Sequence, residues 1–189
     1  MASRNATKSH GKCASSDADA IGRGRQKIAS LIAQYPCKLV YNKDETAKWH
    51  NLRPSYTYAT SSVGGYKQSK ERLTVAVCAN ADGSHKYGLY VIGNAKRPRS
   101  FPKDWTPCML GFTWASNKIA WMNMVTFTEF ITKFDATMMR LYGGQEVLLL
   151  MDNAPSHKLE EGIVLKYTRI AFLPPNTNAP SADGRWYHS

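Results

Sequence analysis

Val147-Leu148-Leu149-Leu150-Met151-Asp152-Asn153-Ala154-Pro155-Ser156-His157 is an apolar run that stops abruptly at a carboxylate. A strand covered on one face alternates apolar and polar residues. A short run without alternation reads as a central strand covered on both faces. Asp152 then lies at the C-terminal end of that strand, where open α/β sheets bind their ligands. A carboxylate there is costly to bury unless something positive meets it, and a divalent cation would serve. The structural alternative is an aspartate that caps a turn, which Asn153, Pro155 and Ser156 also suit.

Upstream of the run, Phe127, Phe130, Ile131, Phe134, Met138 and Leu141 follow helical spacing. Thr126 and Glu129 have the spacing of a capping box, and Gly143-Gly144 ends the helix. The aromatic stripe reads as core. Downstream, a short helix is expected from about His157 to Lys166, then a last strand over Thr168 to Leu173, closed by Pro174-Pro175-Asn176-Thr177. His157, at a helix start, could be a base or a ligand, but a lone histidine there is more often a surface residue. Toward the N-terminus, Leu73 to Ala79 and Tyr87 to Ile92 read as strands joined by the turn Asn80-Ala81-Asp82-Gly83. Cys37 to Tyr41 reads as a buried strand. Ile28, Leu31, Ile32 and Tyr35 predict a helix over 26–35, stopped by Pro36. Pro98, Pro102 and Pro107 oppose long regular elements in the first half of 94–122. The order from Cys37 is three strands, helix, strand, helix, strand: an α/β fold with an antiparallel start.

The chain has 189 residues, 43% of them hydrophobic, which suits one domain with a real core. Its 25 Lys and Arg against 14 Asp and Glu give a net charge of +11, which favours a polyanionic partner. The basic residues Lys67, Lys70, Arg72, Lys96, Arg97 and Arg99 crowd the stretch between Tyr66 and Asp104, and these six are the candidate nucleic-acid-binding residues. Their bland alternative is a solvated surface. No apolar run approaches a membrane span, so no membrane partner is expected. The first 25 residues lack the apolar segment of a secretory signal. Cys13, Cys37, Cys78 and Cys108 form no CxxC or Cys/His pattern and read as reduced thiols of the cytosol or nucleus. There is no Gly-rich phosphate loop, nucleophile elbow or HExxH.

A second carboxylate, Asp44, lies just past the first expected strand, in Tyr41-Asn42-Lys43-Asp44-Glu45-Thr46. That string resembles the first-aspartate motif of pogo/Tigger-type DDE transposases, relatives of centromere protein B and jerky. Four further blocks are similar to theirs, in the family's order: Ser69 to Val75 with Cys78 to Ser84, then Val91 to Arg99, Asn117-Lys118 with Ala120-Trp121-Met122, and Phe172 to Thr177. Leu148 to His157 resembles the second-aspartate motif. The resemblance spans about 37–177 and implies a ribonuclease-H-like mixed sheet with flanking helices, incomplete at the C-terminus.

The resemblance also implies a chemistry. Such enzymes hold Mg²⁺ or Mn²⁺ between three carboxylates and cleave and join DNA strands by in-line attack. Asp44 and Asp152 match the first two, as catalytic and metal-holding residues. His157 matches a motif position and receives no catalytic role. Beyond Thr177 the chain departs from the family string, and Asp183 is the acidic residue at hand for the third place. The expected organisation is a tail with a short helix over 1–36, a catalytic-type domain over 37–177 and a divergent tail over 178–189. No helix-turn-helix pattern precedes the first strand. The implied partner is DNA, the implied location the nucleus, and a homo-oligomer is a further expectation. An inactive DNA- or protein-binding module and a gene-fragment product are the alternatives to an enzyme.

Overall fold

The structure is a computed structural model that describes residues 13–49, 71–104, 109 and 111–174, with 13–20 as helix backbone only. The elements run α1 (Cys13–Ile32), a 3-10 turn (Cys37–Leu39), β1 (Val40–Trp49), β2 (Arg72–Asn80), β3 (Lys86–Gly93), β4 (Phe112–Ser116), α2 (Met124–Tyr142), β5 (Val147–Met151) and β6 (Thr168–Phe172). All six strands form one sheet in the order β4-β3-β2-β1-β5-β6. β1, β2 and β3 are an antiparallel meander, while β5 pairs with β1, and β6 with β5, in parallel. This is the ribonuclease-H-like arrangement: α2 is the crossover that a parallel return to β1 requires.

The lack of alternation in β5 has its physical cause in two cores. Val147, Leu149 and Met151 pack on one face with Phe127, Phe130, Ile131, Phe134 and Met138 of α2. Leu148 and Leu150 pack on the other with Ile28 of α1, Val40, Ala171 and Leu173. Both faces of β5 are therefore dry, and all five of its residues are buried. Between α1 and the end of β6 there is no room for a side chain at Gly24, where a Cβ would stand 2.8 Å from Pro174 Cγ.

Four local expectations differ from the structure. The first strand starts at Val40 and continues to Trp49, pairing with β2 from Tyr41↔Asn80 to Trp49↔Arg72. Ladder hydrogen bonds, which do not read side-chain polarity, carry β1 through Lys43 to Lys48, so Asp44 sits inside the strand. The helix expected over 26–35 begins at Cys13 and ends at Ile32. Its capping counterpart on α2 lies one turn earlier than Thr126/Glu129. Asn123 is the N-cap, its side chain accepting from Thr126 N while the Thr126 hydroxyl accepts from Asn123 N, each at 2.9 Å. Gly143, left-handed at φ 60°, closes α2 as expected.

The helix expected over 157–166 is a series of turns. Its backbone bonds to α2 side chains instead: Glu160 N donates to Thr128 Oγ1, and Lys166 N and Tyr167 N donate to the Asp135 carboxylate. Gly162 at φ 83° is incompatible with a continuous helix. β4, in the stretch whose prolines opposed regular structure, lies beyond them and pairs in parallel with β3.

Candidate active site

From Tyr41 to Thr46 β1 alternates, and the two faces of that stretch have different fates. Tyr41 and Lys43 are buried toward α2, with Glu45 partly buried beside them, whereas Asn42 and Asp44 are exposed. The Lys43 side chain is wholly buried, with its ammonium 5.4 Å and 5.5 Å from the ring centres of Phe127 and Phe130. An ammonium buried without a counter-charge is costly. Glu45 meets it in an ion pair. The Glu45 carboxylate also takes a hydrogen bond from His157 Nε2 at 2.9 Å. Lys43 Nζ is itself 3.1 Å from the same imidazole nitrogen.

His157 is buried, 3% exposed, and packs on Phe127 with ring centres 5.0 Å apart. The surface histidine expected from sequence is thus an interior one. The bonds of its turn segment to α2 carry it inward. Its Nδ1 lies 3.0 Å from the Asp152 carbonyl and 2.9 Å from Asp152 Oδ1. Burial alone would push the Glu45 carboxyl up and the His157 imidazole down. The opposite holds: their mutual hydrogen bond, with Lys43 beside Glu45, lowers Glu45 below its ordinary value, and the bond to Glu45 raises His157.

Glu45, Asp152 and His157 offer ligand atoms within 4.8 Å of one another. Lys43 decides against a cation among them. Its ammonium already lies against both Glu45 and His157 and competes with a metal for their ligand atoms. The group is a closed polar network that grips Asp152 from behind.

Asp44 stands outside that network. Its Oδ1 accepts from Glu45 N at 2.8 Å. The described β1–β5 pairing is Val40↔Leu148, Tyr41↔Leu149, Asn42↔Leu150. Continued by two residues, the register sets Asp44 level with Asp152 on adjacent parallel strands. Asp44 is exposed and the Asp152 side chain is 61% exposed. Among the described residues no lysine or arginine pairs with either. Two exposed carboxylates, of which only Asp152 has a cationic neighbour, His157 at one oxygen, are a donor set that fits a hard divalent cation. Asp183, the candidate third acid, lies outside the described residues.

The expected DNA-binding residues divide. Lys96 and Arg99 are exposed in the loop after β3. Arg97 donates to the carbonyls of Pro102 and Lys103, so it helps to fold that loop. Arg72 is stacked against Trp49 and Trp121. Lys67 and Lys70 lie outside the described residues. Sequence reading missed Lys43, Glu45 and the buried role of His157. The available signal was parity: once β1 extends past Tyr41, Lys43 and Glu45 share its inward face. No helix among the described residues is long and apolar enough to cross a membrane.

The family described as DDE superfamily endonuclease matches residues 70–181, more than half of the chain and inclusive of Asp152. CENP-B homolog protein 2 of Schizosaccharomyces pombe is 35% identical over 158 residues, covering 80% of this chain and 30% of that protein. Tigger transposable element-derived protein 7 of Homo sapiens is 30% identical over 170 residues, covering 82% of this chain and 31% of that protein. The chain thus spans about three-tenths of the length of these relatives. A pre-cleavage Mos1 transpososome structure superposes with a TM-score of 0.47 at 10% identity, covering 92% of this chain and 47% of that one. The chain belongs to the DDE superfamily endonuclease family, among its pogo/Tigger-type members.

Proposed function

We propose that this is a transposase-derived, nucleic-acid-binding domain of the nucleus whose Asp44 and Asp152 hold Mg²⁺ or Mn²⁺ for cleavage and joining of DNA strands. The observation that supports the reading is the register of β1 against β5, whose last pair is Asn42↔Leu150, with the exposed Asp44 and Asp152 each two residues further along. Bound there, the cations would supply Lewis-acid activation at a phosphodiester. The chain's own residues provide the frame. The closed network of Lys43, Glu45 and His157 fixes one oxygen of Asp152 and leaves the other to a ligand. The Glu45 amide holds one oxygen of Asp44 and does the same for it. Carboxylates fixed before the metal arrives need no reorganisation when it binds. The net charge of +11, with Lys96 and Arg99 exposed, supports DNA as the partner.

Nicking of supercoiled plasmid tests the activity. Purified protein with Mn²⁺ is expected to nick, and Asp152→Asn and Asp44→Asn to abolish nicking. Folded protein that binds DNA in a salt-dependent way without nicking would replace the enzyme with an inactive binding module.

A further inference from the structure

β1 runs five residues past Asp44 to Trp49, roughly 17 Å along the strand. There Trp49 faces Arg72 across the ladder. A cleft of ≈ 360 Å³ opens at this point, lined by Trp49, Glu71, Arg72, Asn94, Lys118 and Trp121 among others. That volume is in the range of small-ligand sites. Its aromatic walls are unusually open, with Trp121 52% and Trp49 40% exposed. Large rings left half in water forgo the burial that would otherwise stabilise them.

The walls are also rigid. The Arg72 guanidinium lies 4.2 Å from the Trp121 ring centre and 5.7 Å from that of Trp49. One of its terminal nitrogens donates to Thr74 Oγ1 at 2.8 Å, and that hydroxyl donates to the Ala120 carbonyl at 2.7 Å. The turn carrying Trp121 is pinned by Asn117, which accepts from Ile119 N and Trp121 N and donates to the Trp121 carbonyl at 2.6 Å. Ala120, 2% exposed, sits at φ 53°, a left-handed conformation that an alanine keeps only when its surroundings hold it. A platform ordered in advance costs little further entropy when a ligand stacks on it. Arg72 Nε, in contrast, is buried without a hydrogen-bond partner among the described residues.

We propose that this cleft takes one unpaired nucleobase of a DNA strand that passes the Asp44 and Asp152 carboxylates. The base stacks on the exposed part of Trp121, and Lys118 on the cleft wall meets a neighbouring phosphate. Glu71 on the same wall offsets part of the positive charge, so the cleft suits a base better than a bare phosphate. The inference rests on the proposed DNA partner and not on catalysis.

The test is done in EDTA, which removes metal chemistry. A short single strand carrying 5-iododeoxyuridine is irradiated with the full chain, and the cross-linked peptide is identified by mass spectrometry. The expected cross-link is to Trp121 or Trp49. Trp121→Ala is expected to weaken single-strand binding about tenfold, and Trp121→Phe by much less, as stacking predicts. A strand that binds but cross-links elsewhere, with Trp121→Ala unchanged in affinity, overturns the subsite and leaves the DNA reading standing. Binding of neither single-stranded nor duplex DNA overturns both. Equal cross-linking by free 5-iododeoxyuridine monophosphate at the same concentration would make a free nucleotide the ligand and overturn the strand.

Discussion

The Lys43 ammonium lies among the rings of Phe127 and Phe130 on the central strand, and Glu45 meets it in an ion pair. Removing one partner of a buried pair strands the other, at a cost of about 3–5 kcal/mol. Lys43→Met should therefore destabilise the fold by about that much, read by urea denaturation, although methionine fits the apolar surroundings. Lys43→Met combined with Glu45→Met should recover a large part of the loss. If the single and double variants are equally unstable, the network does not act as a closed unit. The chemistry of these residues was only partly visible in the sequence. Asp44 and Asp152 stood out because carboxylates beside buried strands are expensive. Lys43 and Glu45 did not, because β1 reads as ending at Tyr41, and without the extended strand their parity has no meaning. His157 was hidden because the turn that buries it is built from bonds to Thr128 and Asp135, distant in sequence.

At the scale of elements, legibility followed the source of each element's stability. β5 was read to the residue because both of its faces are hydrophobic. The stripe of α2 was equally plain, and Phe127, Phe130, Ile131 and Phe134 are all fully buried. Its start was not plain, since Thr126 and Glu129 have capping-box spacing while the operative pair is Asn123 with Thr126. Asn123→Ala removes that cap and should cost about 1 kcal/mol in thermal or chemical denaturation. Glu129→Ala should cost less at the helix start, because Glu129 bonds Tyr90 and Lys133 rather than the N-cap. A larger loss from Glu129→Ala than from Asn123→Ala would restore the cap read from sequence. β1 and β4 were the elements least legible. Polar strands are held by their neighbours' ladders, and a neighbour is a tertiary fact.

At the scale of the molecule, one sheet separates two cores and leaves its chemistry at a strand boundary. The α2 face carries the closed network of Lys43, Glu45 and His157. The register of β1 and β5 leaves Asp44 and Asp152 open to solvent, and the basic loop after β3 and the Trp121 cleft lie farther along the same sheet. On the proposed function the cation belongs to the two aspartates and not to the Glu45–Asp152–His157 group. Mn²⁺ affinity, measured from the free-ion paramagnetic resonance signal, tests it most directly across wild type, Asp44→Asn, Asp152→Asn and Glu45→Gln. Asp44→Asn and Asp152→Asn are each expected to weaken binding by at least about tenfold, while folded Glu45→Gln stays close to wild type. Loss of Mn²⁺ binding in Glu45→Gln with retention in Asp44→Asn would contradict this and assign the metal to the buried group.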